Sequence, residues 1–118
     1  FFWLIVTKKQ QEIVANIRYA KQFFKDLGVY KKGFGKNGQG GLGGIGIETW
    51  ILQNGGSFDE AIKTFKEAIN ISDSFDTFKD NYLILGAGDN IKQGGMENFT
   101  YNMTEEGYTK IVKALKKD

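Results

Sequence analysis

An apolar repeat with helical spacing, followed by a run of glycines, constrains the fold of this chain most. The repeat occupies residues 13–27 and stops at Gly28. Thr7 and Gln10 stand three residues apart just before it, as in a helix capping box. The pattern therefore predicts a helix over residues 8–27, with Gly28 as its C-cap.

The glycine run separates this helix from a second apolar segment. Eight of the 16 glycines lie between positions 33 and 46. Such a segment can bring backbone N–H groups close to a phosphate, but it can equally serve as a linker or a close helix contact. The largely apolar residues from Leu42 to Leu52 predict a helix that is buried in the core.

The remaining chain predicts three more helical segments and a small ribbon. Ser57 to Glu60 has the pattern of a second capping box, and a short helix or turn is expected over residues 73–80. A final helix is expected to begin at Asn102 or Thr104. Residues 82–86 and 98–102 are expected to pair as an antiparallel ribbon. The predicted fold is thus mainly α, a helical bundle of about five helices with a small antiparallel β ribbon.

One core should unite these elements. Each segment places at least one large apolar side chain on its inner face. The side chains predicted to meet there are Phe24, Trp50, Ile51, Phe65 and Ile111.

Length and composition limit the possible chemistry. At 118 residues the chain has the usual size of a single domain, taken here as residues 1–118. It contains no cysteine and no histidine, which excludes disulfides, a thiolate nucleophile, an imidazole base and a zinc site of the usual kind. A cytoplasmic location is compatible with this composition and is the expectation.

The first six residues bear on whether the chain contacts a membrane and on whether it is a fragment of a longer protein. The segment Phe1–Val6 is apolar but far too short to cross a bilayer or to form a signal-peptide core. We expect no membrane partner, and we expect the segment to form a strand or an anchor. Because the chain begins without methionine, it is expected to be a fragment of a longer protein whose missing part lies upstream.

Charge is concentrated in the first third of the chain. Residues 1–36 carry eight basic and two acidic side chains, although the net charge of the whole chain is only +2. On the predicted first helix, Arg18, Lys21 and Lys25 fall within one narrow arc beside the apolar face. The arc is either a solvated charged stripe or the binding surface for an anionic partner.

Glu48 is the one charged residue of the second apolar helix. A carboxylate in such a helix needs a partner, and a base such as Arg18 or a helix end could provide one. We favour this structural interpretation over a direct role in ligand binding.

The residues from Lys21 to Tyr30 and from Gly41 to Glu48 carry a resemblance. A lysine on a helix, a tyrosine nine positions later and a Gly-Gly-hydrophobic turn that opens a buried helix occur here in order. In these features the chain resembles the central domain of the polymerase-β-type RNA nucleotidyltransferases. That group includes archaeal-type CCA-adding enzymes, poly(A) polymerases and 2′-5′ oligoadenylate synthetases. The resemblance is tightest over residues 17–58.

The resemblance implies a nucleotide- and substrate-binding domain. Its partners would be ATP or another nucleoside triphosphate as substrate, RNA, and a catalytic palm domain upstream. Mg²⁺ is expected only with that domain, because the metal-binding aspartates of the family lie there. No catalytic or metal-binding residue is therefore assigned in this chain. The residues that the resemblance places against the triphosphate or the substrate are Arg18, Lys21, Lys25, Tyr30, Gly43 and Gly44.

Two departures and two alternatives accompany this hypothesis. Gly43 replaces a serine that is common in the glycine turn of the family, and the loop from Lys31 to Gly40 is longer and richer in glycine than the family pattern. A non-catalytic RNA-binding or protein-interaction module could retain the same fold, and a purely structural helical domain is the third possibility.

Overall fold

The structure, a computed structural model, describes residues 7–31, 40–86 and 97–116. Within these ranges five α-helices, one two-stranded sheet and a short 3-10 helix are present, so the predicted fold class is confirmed. The prediction for Phe1–Val6 and the first half of the glycine run, residues 33–39, lie outside the described residues. The elements are α1 (Lys8–Asp26), α2 (Gly44–Gln53), α3 (Phe58–Ile71), α4 (Phe75–Asn81), β1 (Leu85–Gly86), β2 (Glu97–Asn98), the 3-10 helix (Phe99–Asn102) and α5 (Glu105–Leu115).

Helix α1 begins as its sequence predicts. The Thr7 side chain accepts a hydrogen bond from the Gln10 backbone, and the Gln10 side chain accepts one from the Thr7 N–H, which completes the capping box. The helix ends slightly earlier than expected, because Leu27 is the C-cap. Gly28 follows with φ of +74°, a left-handed conformation that favours glycine.

The later helices also begin at side-chain caps. Ser57 accepts from the Glu60 N–H at the start of α3, and Ser74 caps α4 in the same way. Thr104 caps α5, which settles the choice between Asn102 and Thr104. These helix starts could be predicted from the local sequence, because a cap needs only a side-chain oxygen and the backbone N–H two or three residues beyond it.

The ribbon is shorter than predicted. Leu85 pairs with Asn98 and Gly86 with Glu97 in antiparallel register, whereas residues 99–102 form the 3-10 helix instead of a strand. The Asn98 side-chain oxygen accepts hydrogen bonds from the backbone N–H groups of Ile84 and Thr100. Because one oxygen caps the 3-10 turn and holds the opposite chain, the pairing does not continue beyond Asn98 into the 3-10 helix.

The predicted core is confirmed. Trp50 is 1% exposed and lies centrally in one cluster of buried side chains. Its ring centroid is 5.5 Å from that of Phe24 and 6.0 Å from that of Phe65. Ile51 and Ile111 belong to the same cluster. None of the helices in the described ranges has both the length and the apolar character that a bilayer crossing requires.

Candidate functional site

The turn after α1 folds Tyr30 back toward the end of that helix. The Gly28 N–H donates to the Lys25 carbonyl at 3.0 Å, and the Val29 N–H donates to the Phe24 carbonyl at 2.9 Å. Val29 is fully buried and anchors the turn in the core. The next residue, Tyr30, is therefore held beside the last turn of α1.

Backbone contacts at two glycines fix the approach to α2. The Gly41 N–H donates to the Lys31 carbonyl at 2.9 Å, and any side chain at Gly41 would overlap the Val29 carbonyl. The Gly40 carbonyl accepts from the Thr104 N–H at 2.9 Å, which ties the same segment to the start of α5. Glycine is needed here because the chains approach more closely than a Cβ atom allows.

Gly44, the first residue of α2, lies close to two of the other predicted site residues. A Cβ atom built on Gly44 would stand 3.4 Å from the Tyr30 hydroxyl oxygen and 3.9 Å from Lys21 Nζ. The fold thus brings an ammonium group and a phenol together at the start of a helix. These two residues are nine positions apart in the sequence, and Gly44 follows Tyr30 by fourteen.

The start of α2 has no side-chain cap among the described residues. Gly43 is the N-cap, and no side chain in the described ranges accepts a hydrogen bond from the N–H groups of the first turn. The first intrahelical bond runs from the Ile47 N–H to the Gly43 carbonyl at 3.0 Å. The N–H groups at a helix start and the positive end of the helix dipole favour an anion.

Glu48 belongs to this cluster, and it pairs with a basic side chain as predicted. Lys21 Nζ lies 3.1 Å from Glu48 Oε2, so the carboxylate pairs with Lys21 and not with Arg18. The side chains are 27% and 48% exposed, respectively, and solvent screens the pair. One turn of α2 separates Glu48 from Gly44, so the ion pair holds the Lys21 ammonium beside the helix start.

The two other basic residues of the stripe differ in their relation to this cluster. Lys25 Nζ lies 5.0 Å from the centroid of the Tyr30 ring, a cation–π distance. Arg18 is exposed one helical turn before Lys21. Within the described residues no contact joins Arg18 to the others. The structure therefore brings together Lys21, Tyr30, Gly43 and Gly44, adds Lys25 through the tyrosine ring, and leaves Arg18 at the margin.

The sequence predicted that Glu48 pairs with a base, but it did not identify Lys21 as that base. The signal was present, since Glu48 is the only charge in an otherwise apolar helix. Arg18 and Lys21 lie on the same stripe, however, and only the packing of α1 on α2 decides which of them reaches the carboxylate. We refer to Lys21, Tyr30, Gly43, Gly44 and Glu48 as the Gly44 cluster.

The Gly44 cluster combines an ammonium group, a phenol and a carboxylate at the start of α2. Across the described ranges no group of three or more acidic side chains is placed to hold a metal ion. Comparisons with protein-family models, curated proteins and solved structures returned no match. The chemistry of the cluster itself therefore has to support any functional proposal.

Proposed function

We propose that this chain is the nucleotide- and substrate-binding domain of an RNA-type nucleotidyltransferase, and that the Gly44 cluster binds the triphosphate of the incoming nucleotide. The observation that carries the proposal is the position of Gly44, at a helix start without a side-chain cap among the described residues and close to both the Tyr30 hydroxyl and Lys21 Nζ.

The donors of the cluster match the chemistry of phosphate. The Lys21 ammonium supplies a point charge, the Tyr30 hydroxyl a directed hydrogen bond, and the first turn of α2 a set of backbone N–H groups. Charge-assisted hydrogen bonds of this kind are about twice as strong as neutral ones. The exposed side chains of Arg18 and Lys25 extend the positive surface along α1, as an elongated polyphosphate requires.

Gly43 and Gly44 contribute to the proposed site by leaving space for a phosphate oxygen at the start of α2. A side chain at Gly44 would stand against the Tyr30 hydroxyl and the Lys21 ammonium, in the space assigned to a phosphate oxygen. Gly43 likewise leaves the first-turn N–H groups without a competing side-chain acceptor. A ligand oxygen would satisfy these donors, which otherwise bind water.

Under this proposal the chain positions the nucleotide, and a separate catalytic domain performs the transfer. Metal ions held by that domain would neutralise part of the phosphate charge. The residues of the present chain bind and orient the triphosphate. Nucleotide affinity of this chain alone is accordingly expected to be weak.

Titration of the ¹⁵N-labelled chain with ATP and with inorganic triphosphate tests the proposal. Both ligands should shift the amide signals of the first turn of α2. Replacing Lys21 by methionine removes one charge-assisted contact and should weaken binding about tenfold or more. Tyr30→Phe removes only the hydroxyl and should weaken binding less.

Lys110→Met is a matched control. Lys110 also pairs with a glutamate one turn away, with 3.8 Å between Lys110 Nζ and Glu106 Oε1. Both lysine variants change the net charge equally, so a non-specific charge effect would weaken binding to the same degree in each. Equal losses in the two variants would overturn the proposal.

The same titration distinguishes triphosphate binding from the alternative function, RNA binding. A single-stranded RNA without a terminal triphosphate should bind to the first turn of α2 more weakly than ATP does. If this RNA shifts those amides at lower concentration than ATP does, the chain is an RNA-binding module and the cluster is not a triphosphate site.

A further inference from the structure

A groove with aromatic walls lies on the side of α1 opposite Lys21. Tyr19 is 65% exposed and forms a ridge between two hollows. One hollow has a volume of about 320 Å³ and the other about 130 Å³. We call this surface the Tyr19 groove. Its lining residues are Ala15, Asn16, Tyr19, Phe58 and Asp59 in the larger hollow, and Tyr19, Gln22, Phe23 and Asp26 in the smaller one.

The floor of the groove is rigidly attached to the core. The Tyr19 ring meets Phe58 edge-on at a centroid distance of 4.9 Å, and Phe58 in turn contacts Trp50 at 6.1 Å. Asn16 Oδ1 accepts from the Phe58 N–H at 2.8 Å, which fastens the start of α3 to α1. Because these groups are already engaged, the groove is preformed and a ligand need not order it.

Each hollow contains one carboxylate. Asp59 lies in the larger hollow and Asp26 in the smaller one, where it accepts a hydrogen bond from Gln22 Nε2 at 2.8 Å. Neither carboxylate forms an ion pair within the described parts of the chain. None of the lining residues is basic. The groove therefore combines an exposed aromatic ring with two available negative charges.

We propose that the Tyr19 groove docks an arginine-bearing segment of a partner protein. One guanidinium group stacks on the Tyr19 ring and pairs with Asp59, and a second pairs with Asp26. A purely apolar segment fits less well, since it would cover two carboxylates without giving them a partner. The phosphates of RNA would be repelled by the same two carboxylates.

This inference does not depend on the proposed triphosphate site. At about 100° per residue, Tyr19 and Lys21 point roughly 160° apart around α1. The helix therefore presents a basic arc on one side of its core face and an acidic, aromatic groove on the other. Failure of one proposal leaves the other untouched.

The distance between the two hollows determines how far apart the two arginines of a test peptide must be. Asn16, beside Asp59, and Asp26 are ten residues apart on α1, a rise of about 15 Å. An extended peptide advances about 3.3 Å per residue, so arginines four positions apart reach both carboxylates with their flexible side chains. The probe is an acetylated seven-residue peptide with two such arginines and only glycine and serine elsewhere. A control peptide carries neutral citrulline in place of each arginine.

Binding is followed by the amide signals of the labelled chain at low salt. The arginine peptide should shift signals around Tyr19, Asp26 and Asp59, and rising salt should weaken it. Asp26→Asn and Asp59→Asn should each weaken binding about two- to fivefold. Tyr19→Ala should produce a loss of similar size. Asp73→Asn, the same charge change at an exposed position outside the groove, should have no effect.

Three results would overturn the proposal. The first is equal binding of the citrulline peptide, which would show that charge is not recognised. The second is an effect of Asp26→Asn and Asp59→Asn no larger than that of Asp73→Asn. The third is stronger binding of a single-stranded RNA than of the arginine peptide at these amides. Aspartate-to-asparagine changes preserve side-chain shape, so these outcomes do not depend on a variant that fails to fold.

Discussion

Trp50 Nε1 donates a hydrogen bond of 2.8 Å to the hydroxyl oxygen of Tyr82 inside the core. The Tyr82 and Thr64 hydroxyls share a further bond of 2.7 Å, and Thr64 donates to Asn54 Oδ1 at 2.9 Å. Asn54 Nδ2 donates back to the Trp50 carbonyl at 2.8 Å. This closed network joins α2, α3 and the end of α4, and it satisfies the polar atoms of two large buried aromatic side chains.

Replacement of Trp50 by alanine should destabilise the fold by about 3–5 kcal/mol, the usual range for emptying a buried large aromatic position. The change removes the ring contacts with Phe24 and Phe65 and leaves the Tyr82 hydroxyl without its donor. Urea unfolding followed by circular dichroism measures the loss. A cost below about 1 kcal/mol would show that Trp50 does not hold α2 in the core.

The stability should also depend on pH through Tyr82. Burial raises the pKa of Tyr82 above 10.0, the ordinary value, and its hydrogen bonds with Thr64 and Trp50 only partly oppose this. A raised pKa in the folded state means that the unfolded chain loses the phenol proton first. The contribution of Tyr82 is therefore complete below about pH 10 and is lost as the pH rises toward its folded-state pKa.

Comparison with Tyr82→Phe isolates this effect. Burial also raises the pKa of Tyr108, but that group titrates in both proteins. The difference in unfolding free energy between the two proteins should therefore shrink between about pH 8 and about pH 11. A difference that stays constant over this range would contradict the assignment to Tyr82.

Local signals in the sequence predicted most of the helices, but distant contacts decided the rest. The Thr7 cap and the Ser57 cap act over three residues and could be read directly. The end of the ribbon depends instead on the Asn98 side chain reaching Ile84, fourteen residues away. No pattern within a strand encodes such a contact, so the ribbon was predicted too long.

The candidate site shows the same division. The basic stripe could be predicted because helical spacing places Arg18, Lys21 and Lys25 on one arc. The pairing of Lys21 with Glu48 spans 27 residues and depends on how α1 crosses α2. Helical periodicity predicts which side of a helix a residue occupies. It does not predict how two packed helices align, and so it does not predict which turn of α1 contacts Glu48 on α2.

Gly107→Ala tests the contact between the glycine segment and α5. In an exposed helix this change would stabilise by up to about 1 kcal/mol. At Gly107, however, the added Cβ would overlap the Gly40 carbonyl, which also accepts from the Thr104 N–H. Because a backbone group must move, we expect a net destabilisation of about 1–3 kcal/mol.

Lys113→Ala is the control for Gly107→Ala, since it changes an exposed residue of the same helix. Its effect should stay within about 0.5 kcal/mol in the same urea experiment. A Gly107→Ala protein as stable as the control would mean that Gly40 does not pack against α5. The approach to α2 would then lack its second anchor.

Glu48→Gln decides what the ion pair contributes to anion binding. Glu48 Oε2 lies 3.1 Å from Lys21 Nζ and neutralises part of the charge that the proposed triphosphate would use. Removing this carboxylate should tighten binding of inorganic triphosphate about two- to fivefold at low salt, because a unit charge several ångströms from a phosphate in water costs roughly 0.5–1 kcal/mol.

Glu106→Gln makes the same charge change beside Lys110 and should leave the affinity unchanged. If Glu48→Gln weakens binding instead, the carboxylate acts chiefly by holding the Lys21 ammonium beside Gly44, and its repulsion of the anion is the smaller effect.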